Sequence, residues 1–212
     1  MFQKKYFFLF KFLSLLIVLF LEKAVHSKEL FVEGGYSDLS IGKMNLEGEN
    51  ASVRVYFFPG NFPENRKLLL GLGVRGEKAQ GSESTSTYTN TSNYVSFQVG
   101  GDIGFKFKDP NWLSVYSIIS LNYSPSTIYK NNLTINGNSI TESSKVNSNL
   151  NLGINYKVLV NISESFSIGL GFYAAKGYLD FGKVTYNNTT ISGFSGGYNI
   201  TNINLIISYL FS

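Results

Sequence analysis

Apolar and polar residues alternate along most of the chain after residue 28. In the segment that begins at Asn93, nearly every second residue from Val95 to Phe107 is apolar, and the intervening positions carry Ser, Gln, Gly, Asp and Lys. A spacing of two residues is that of side chains on one face of a β-strand. The same alternation occurs in seven further segments, which begin near residues 30, 51, 67, 113, 150, 166 and 203. The pattern predicts an all-β protein of eight strands, each of roughly nine to thirteen residues.

The connections between these segments alternate between short and long. Three short turns are predicted, at residues 59–66, 108–111 and 161–165. Four longer polar segments are predicted to be loops, at residues 42–50, 76–92, 124–148 and 176–198. In an antiparallel up-and-down sheet this order places the short turns at one end and the long loops at the other. Alternation persists inside some of the long segments, for example at Leu133 and Ile135, so we expect the strands to continue into them.

Two kinds of barrel are compatible with this alternation. The apolar face points inward in a soluble barrel, whereas it contacts lipid in a membrane barrel. The apolar faces here are nearly free of charge, and the opposite faces hold Gly, Ser, Asn and isolated charges, which is poor material for a solvent-exposed surface. Aromatic residues also gather at the predicted strand ends, among them Trp112 and Tyr123, as in the interfacial belts of membrane proteins. We therefore expect an eight-stranded antiparallel up-and-down transmembrane β-barrel over residues 28–212, with short periplasmic turns and longer extracellular loops.

The last segment carries the most specific sequence feature. Its alternating apolar residues close on an aromatic side chain: Ile203, Leu205, Ile207, Tyr209 and Phe211. The segment resembles the terminal strand that the outer-membrane assembly machinery recognises, although Ser212 follows the aromatic residue that is usually last. With the eight alternating segments, it makes residues 28–212 resemble the small outer-membrane barrels of the OmpA/OmpX-like superfamily. The resemblance implies a bacterial outer-membrane location, with outer-membrane lipids, lipopolysaccharide and the assembly machinery as partners, but it implies no particular ligand.

The first 27 residues have the organisation of a secretory signal peptide. Lys4, Lys5 and Lys11 accompany an uninterrupted apolar run at residues 12–21, and small residues precede a cleavage site after Ser27. The alternative is an uncleaved anchor helix. Ten apolar residues would rise only about 15 Å, which is half of the hydrocarbon core of a bilayer. We therefore expect a signal peptide at residues 1–27 that is cleaved during export through the periplasm.

The charge of the chain depends on this segment. The whole chain has 18 Lys and Arg against 14 Asp and Glu, a net charge of +4. Removal of residues 1–27 takes away four lysines and one glutamate, and it leaves a net charge of +1 over 185 residues. A basic chain rich in aromatic residues would suggest nucleic-acid binding, but the nearly neutral mature chain does not. No nucleic-acid partner is expected.

The sequence offers little for catalysis or cofactor binding. Cysteine is absent, and the single histidine, His26, lies in the signal peptide. Enzymes on small outer-membrane barrels resemble one another in using a histidine as general base or partner, so no catalytic, metal-binding or cofactor-binding residue is assigned. Residues 71–76 match the dinucleotide motif G-x-G-x-x-G, but a polar segment follows instead of a helix, and these glycines are interpreted as making room inside a narrow barrel. A lipid-modifying enzyme and a ligand-binding or transport barrel stay open as alternatives.

Four charged residues fall on the inward faces of four predicted strands: Glu33, Arg54, Asp102 and Lys157. Because an unpaired buried charge costs several kcal/mol, we predict that they meet in one salt-bridged layer, supplemented by Gln98, Tyr56 and Tyr116. The alternative is that they lie at different heights and that each contacts water or a nearer neighbour. Arg75 and Glu77 are expected to form a second pair closer to the loops.

The expected function is therefore non-enzymatic. We predict an envelope protein with a structural role whose loops at residues 76–92, 124–148 and 176–198 contact a host or surface ligand, as in adhesion. Four lysines lie at or beyond the predicted outer rim: Lys130, Lys145, Lys176 and Lys183. They could bind the phosphates of lipopolysaccharide, and an equally good explanation is that they keep the loops soluble.

Overall fold

The computed structural model describes residues 28–59, 66–108, 111–135, 137–186, 189–191 and 195–211. The predicted signal peptide lies outside these residues, as does most of the turn expected at 59–66. The described residues form nine strands: β1 (Lys28–Ile41), β2 (Met44–Phe57), β3 (Arg66–Ser84), β4 (Tyr88–Lys108), β5 (Leu113–Ile135), β6 (Asn138–Asn161), β7 (Phe166–Tyr186), β8 (Thr189–Ile191) and β9 (Ser195–Phe211). Within the same residues, no helix is long and apolar enough to cross a membrane.

Eight of the strands close into a ring. Each strand from β1 to β6 pairs with the next along the chain, while β9 pairs with both β1 and β7. All of these pairings are antiparallel, so the prediction of an eight-stranded antiparallel up-and-down barrel is confirmed. The ninth strand, β8, has three residues and pairs with the end of β7 outside the ring.

The strands are longer than predicted, because the segments expected to be loops are largely strand. Residues 42–50, 76–92, 124–148 and 176–198 lie mostly within paired β-structure, and β6 reaches 24 residues. Gly42 and Gly137, with φ of 61° and 80°, lie where tight hairpins reverse the chain. The predicted strands were too short because their ends were set by apolar alternation, which disappears when both faces of a strand are polar. The expectation that strands continue into these segments is confirmed.

An apolar belt surrounds the ring on its outward side. Its side chains stay about half exposed although they are apolar, as Ile103 (51%) and Leu152 (58%) illustrate. The belt includes a residue from every ring strand: Val32, Val53, Leu72, Ile103, Ile119, Ile154, Leu170 and Leu205. A continuous apolar surface of this kind is the lipid-facing surface of a membrane barrel, and the paired backbone leaves no open sheet edge inside it.

Buried side chains fill most of the interior. An inner apolar cluster lies towards the short turns, and its members include Phe31, Tyr56, Leu69, Tyr116, Leu159 and Ile206. An outer apolar cluster lies towards the long hairpins, and its members include Leu39, Leu46, Val146, Leu179, Phe181 and Ile200. Charged and amide side chains occupy the level between the two clusters. The interior of an eight-stranded barrel is just wide enough for filling of this kind.

Candidate functional site

The four charged residues predicted to share a layer lie together in the lumen. Arg54 Nη1 donates to both carboxylate oxygens of Asp102 at 2.7 Å, and Lys157 forms an ion pair with Glu33. Tyr56 joins the two pairs, because its Oη donates to Asp102 Oδ2 at 2.9 Å and accepts from Lys157 Nζ at 3.0 Å. The result is one connected network that reaches across the barrel from β1, β2, β4 and β6.

Uncharged partners complete this charged layer. Asn122 Oδ1 accepts from Arg54 Nη2 at 2.9 Å, and Asn204 Nδ2 donates to Glu33 Oε2 at 3.3 Å. Lys157 Nζ also lies 4.5 Å from the centroid of the Phe31 ring, which belongs to the inner apolar cluster. The Lys157 side chain is 0% exposed and that of Arg54 is 2% exposed. Buried charges of this kind require partners, and here each has several.

The glycine motif of β3 makes room for this layer. A Cβ atom on Gly71 would lie 2.5 Å from the Tyr56 ring, and one on Gly73 would lie 2.5 Å from Arg54 Cγ. Both distances are too short for real Cβ contacts, so these two positions accept no larger side chain while Tyr56 and Arg54 keep their places. Residues 71–76 lie inside β3 and no helix begins after them. Their geometry is that of a packed barrel wall.

A second charged pair lies closer to the long hairpins. Arg75 Nη2 is 3.7 Å from Glu77 Oε1, and both residues are on the inward face of β3. Ser37 Oγ donates to Glu77, and Gln98 Nε2 donates to Glu77 Oε2 at 3.3 Å. The Arg75 guanidinium stacks on Tyr173, 4.6 Å from the ring centroid. These contacts close the lumen one level above the first layer.

Amide side chains form hydrogen bonds with the phenols of the outer apolar cluster, which includes Tyr94, Tyr173 and Tyr198. Asn151 Nδ2 donates to Tyr198 Oη at 3.0 Å, and Asn151 Oδ1 accepts from Tyr173 Oη at 2.6 Å. Asn149 Nδ2 donates to Tyr94 Oη at 2.8 Å. All five side chains are buried. The sequence analysis did not identify this network.

A further charged pair at the short-turn end was missed. Lys106 Nζ lies 2.9 Å from Glu29 Oε2, and Tyr116 Oη donates to Glu29 Oε1 at 2.8 Å. The pair borders a polar cavity of about 310 Å³ whose lining includes Asn161 and Glu164. Glu29 lies on the same inward face of β1 as Glu33, and Lys106 lies on the same inward face of β4 as Asp102. Glu33 and Asp102 had been assigned to those faces from the sequence. The same alternation could therefore have found the pair.

The barrel wall is taller on one side than on the other. β3 and β4 remain paired up to Ser84 opposite Thr89, whereas β2 pairs with β3 only as far as Glu47 opposite Gln80. We call the paired residues 80–93 and 130–142 of β3 to β6 the outer extension. On its inner side, the carboxylate of Glu83 raises the pKa of the Tyr88 phenol by electrostatic repulsion of the phenolate.

The predicted assembly segment forms most of β9. Lys28 of β1 lies opposite Phe211, and Phe166 of β7 lies opposite Tyr209, so the segment closes the ring. The rings of Tyr209 and Phe211 pack edge to face with centroids 4.8 Å apart. Ile203, Leu205 and Ile207 project outward into the apolar belt.

Comparison with known proteins identifies the fold. No family model matches the sequence, and no curated protein matches it. Among solved structures, the outer-membrane protease OmpT from Escherichia coli is 9% identical over 89% of this chain and 98% of that chain, with a TM-score of 0.52. A major outer-membrane protein from Thermus thermophilus is 11% identical over 88% of this chain and 100% of that chain, with a TM-score of 0.50. Neisserial surface protein A is 12% identical over 86% of this chain and 96% of that chain, with a TM-score of 0.47.

At these identities the likeness concerns the fold alone. The chain has the fold of bacterial outer-membrane β-barrels, and the resemblance inferred from its sequence is confirmed at that level.

Proposed function

We propose, from the outer-membrane barrel fold of this chain, that it resides in the bacterial outer membrane as a closed, non-enzymatic barrel. In this proposal residues 1–27 are the cleaved signal peptide, and the barrel stabilises the envelope while it holds the outer extension above the lipid. The extension and the neighbouring hairpins, at residues 76–92, 124–148 and 176–198, supply the surface for adhesion or for contact with a host or envelope ligand. The observation that carries the proposal is an apolar outward belt around a lumen that is packed between the polar cavity at the short-turn end and the long hairpins.

The packed lumen supports a structural role over a transport role. The inner apolar cluster, the charged layer and the outer apolar cluster, whose phenols bond to buried amides, follow one another along the barrel axis. A hydrated ion would have to displace several mutually bonded buried side chains, each of which would be left without a partner. The luminal charges also bond to one another and to amides. Such bonds stabilise the barrel and leave these groups occupied, so they are poorly placed to transfer a proton to a substrate.

A planar-bilayer experiment tests this function. The purified full chain, added to a bilayer after folding in detergent, is expected to produce no stable conductance, while a large porin added to the same bilayer provides the positive control. Migration in SDS before and after boiling checks that the sample is folded, because membrane barrels resist unheated SDS. Stable channels from a sample with a heat-modified band would contradict the closed lumen, and a chain soluble without detergent would contradict the membrane location.

The terminal strand provides a separate test. We propose that Ile203, Leu205, Ile207, Tyr209 and Phe211 are read by the outer-membrane assembly machinery. Substitution of both Tyr209 and Phe211 by Ala removes the edge-to-face ring pair, and we expect the folded protein in the outer membrane to fall several-fold, measured as the heat-modifiable band. The matched control is Phe105→Ala with Phe107→Ala, which removes an aromatic pair of similar depth from β4. An equal loss in both variants would mean that belt aromatics matter generally and that the terminal strand carries no signal.

A further inference from the structure

Asn204 on β9 faces Lys157 on β6 across a strand position that has no side chain. Gly171 of β7 pairs in register with Lys157 on one side and with Asn204 on the other. A Cβ atom on Gly171 would lie 3.7 Å from Lys157 Cγ. Gly35 of β1 is the second register partner of Asn204, and a Cβ atom there would lie 2.8 Å from Asn204 Oδ1. The two glycines therefore leave the room in which the amide and the lysine side chain approach each other.

One carboxyl group bridges these two side chains. Lys157 Nζ pairs with Glu33 Oε1, and Asn204 Nδ2 donates to Glu33 Oε2 at 3.3 Å. A proton held by Glu33 is thus within hydrogen-bond reach of both nitrogen atoms. Asn204 Oδ1 is buried and has no hydrogen-bond partner among the described residues. When the amide is turned by half a rotation, a protonated Glu33 donates to this oxygen, and such a bond polarises the amide carbonyl.

The surroundings favour the uncharged forms of the amine and the carboxyl group. Lys157, Glu33 and Asn204 are each at most 3% exposed. Phe31 and Ile206 of the inner apolar cluster border the site, with the Phe31 ring centroid 4.5 Å from Lys157 Nζ. Because burial disfavours both charged groups, transfer of a proton from Lys157 to Glu33 gives a neutral pair that this environment tolerates. A neutral amine is a nucleophile, whereas an ammonium group is not.

The two side chains are long enough to be joined. Register partners on adjacent strands lie about 5 Å apart, so the Cα atoms of Lys157 and Asn204 are separated by about 10 Å. The bonds from one Cα atom through a Lys–Asn linkage to the other cover roughly the same distance when extended. Inward side chains also converge towards the barrel axis, so their tips lie closer together than their Cα atoms. The contact of both nitrogen atoms with Glu33 is a sign of this convergence.

We propose that Lys157 and Asn204 become joined by an isopeptide bond as the folded protein ages, with Glu33 as the proton carrier. Lys157 Nζ attacks Asn204 Cγ, and a C–N bond forms there as the bond between Cγ and Nδ2 breaks. Glu33 takes a proton from Nζ and delivers a proton to Nδ2, which leaves as ammonia. The product is a secondary amide beside a protonated Glu33, and the step needs no oxidant or reductant.

The bond changes how the ring is closed. It ties β6 to β9 across β7 and encloses residues 157–204 in a covalent loop. The loop restricts the unfolded chain, so the linked form unfolds at a higher urea concentration. The reaction is slow because an amide is a weak electrophile and the neutral pair is the minor form. Freshly folded protein therefore holds the ion pair, and the linkage accumulates afterwards.

The test follows the intact mass of the full chain after it folds in detergent. Samples are taken at once and after several days, and their tryptic peptides are mapped by mass spectrometry. In the linked form trypsin does not cut after Lys157, and residues 146–176 stay joined to residues 184–212. The same chain kept unfolded in guanidinium chloride is the reference, because its three reacting groups are not assembled.

Three variants separate the linkage from general effects on folding. Glu33→Gln keeps the size of the side chain but does not carry the proton, and Asn204→Ala removes the carbonyl that is attacked. The matched control is Asn202→Ala, which removes another buried inward amide from β9. The Asn202 side chain accepts a hydrogen bond from Ser37. The heat-modified band in SDS shows which samples are folded.

We expect the aged wild type and Asn202→Ala to lose the mass of one ammonia molecule and to yield the joined peptides. Asn204→Ala should yield none, and Glu33→Gln should form the linkage about a hundredfold more slowly. Equal rates in Glu33→Gln and the wild type would overturn the role of Glu33.

The wild type alone is sufficient to overturn the inference, even if a variant fails to fold. An unchanged mass in a folded, aged sample would do so while leaving the proposed outer-membrane function intact. Loss of ammonia confined to a single peptide, as in succinimide formation, would also contradict it. Linkage in the unfolded reference would show that the folded arrangement of the three groups is not its cause.

Discussion

Substitution of Lys157 by methionine is expected to lower the free energy of unfolding of the barrel by about 3–5 kcal/mol. The change keeps the length and most of the volume of the side chain but removes the ammonium group that pairs with Glu33 and donates to Tyr56. Glu33 would then be a buried carboxylate with Asn204 as its remaining hydrogen-bond donor among the described contacts. The loss arises mainly from this uncompensated charge, since a buried ion pair contributes little net stability over a well-packed apolar pair.

Unfolding in urea from lipid vesicles, followed by tryptophan fluorescence or by the heat-modified band, measures this loss. The matched control is Lys176→Met on β7, where the lysine is exposed on the outward side, and we expect a change within about 0.5 kcal/mol. The double variant Glu33→Leu with Lys157→Met removes both charges and should recover most of the lost stability. If Lys157→Met were as stable as the wild type, the charged layer would not be the buried, mutually bonded network described above.

The charged layer illustrates what sequence alone could predict. Alternation assigns Glu33, Arg54, Asp102 and Lys157 to inward faces, and the cost of burying a charge requires that they pair. The choice of partners was not predictable, because it depends on the stagger between strands that are not neighbours in the ring. Arg54 meets Asp102 across β3, and Lys157 reaches Glu33 from β6. The same stagger decides which amide meets which phenol, so the contacts of Asn151 with Tyr173 and Tyr198 could not be read from the sequence.

The outer extension illustrates what the sequence concealed. The pairs between Ser82 and Thr91 and between Asn132 and Thr141 belong to regular strands, but both of their faces are polar, so no contrast marks them as β-structure. Low-complexity Ser and Thr segments are normally interpreted as loops for this reason. Here the backbone hydrogen bonds continue from the belt strands below, and the existing sheet serves as the template. Long-range pairing therefore overrides the weak local preference of these residues.

Substitution of Ile154 by arginine should destabilise the protein in lipid by about 2–4 kcal/mol, because the guanidinium would lie near the middle of the hydrocarbon layer. Ile154 projects outward from β6, midway between Leu150 and Val158, and it is 46% exposed to its surroundings. An outward arginine on a soluble barrel would instead leave stability nearly unchanged, since such a side chain would contact water. The substitution thus distinguishes lipid from water as the medium around the belt.

A depth series along β6 makes this test quantitative. We expect the loss to fall towards about 0–1 kcal/mol for Leu150→Arg, nearer the outer interface, and to vanish for the matched control Thr141→Arg in the outer extension. Urea unfolding of the three variants from vesicles of one lipid composition gives the differences directly. A uniform loss at all three positions would contradict a belt of limited height. A loss that peaks at Ile154 would fix the centre of the membrane on β6 and place the outer extension beyond the hydrocarbon layer.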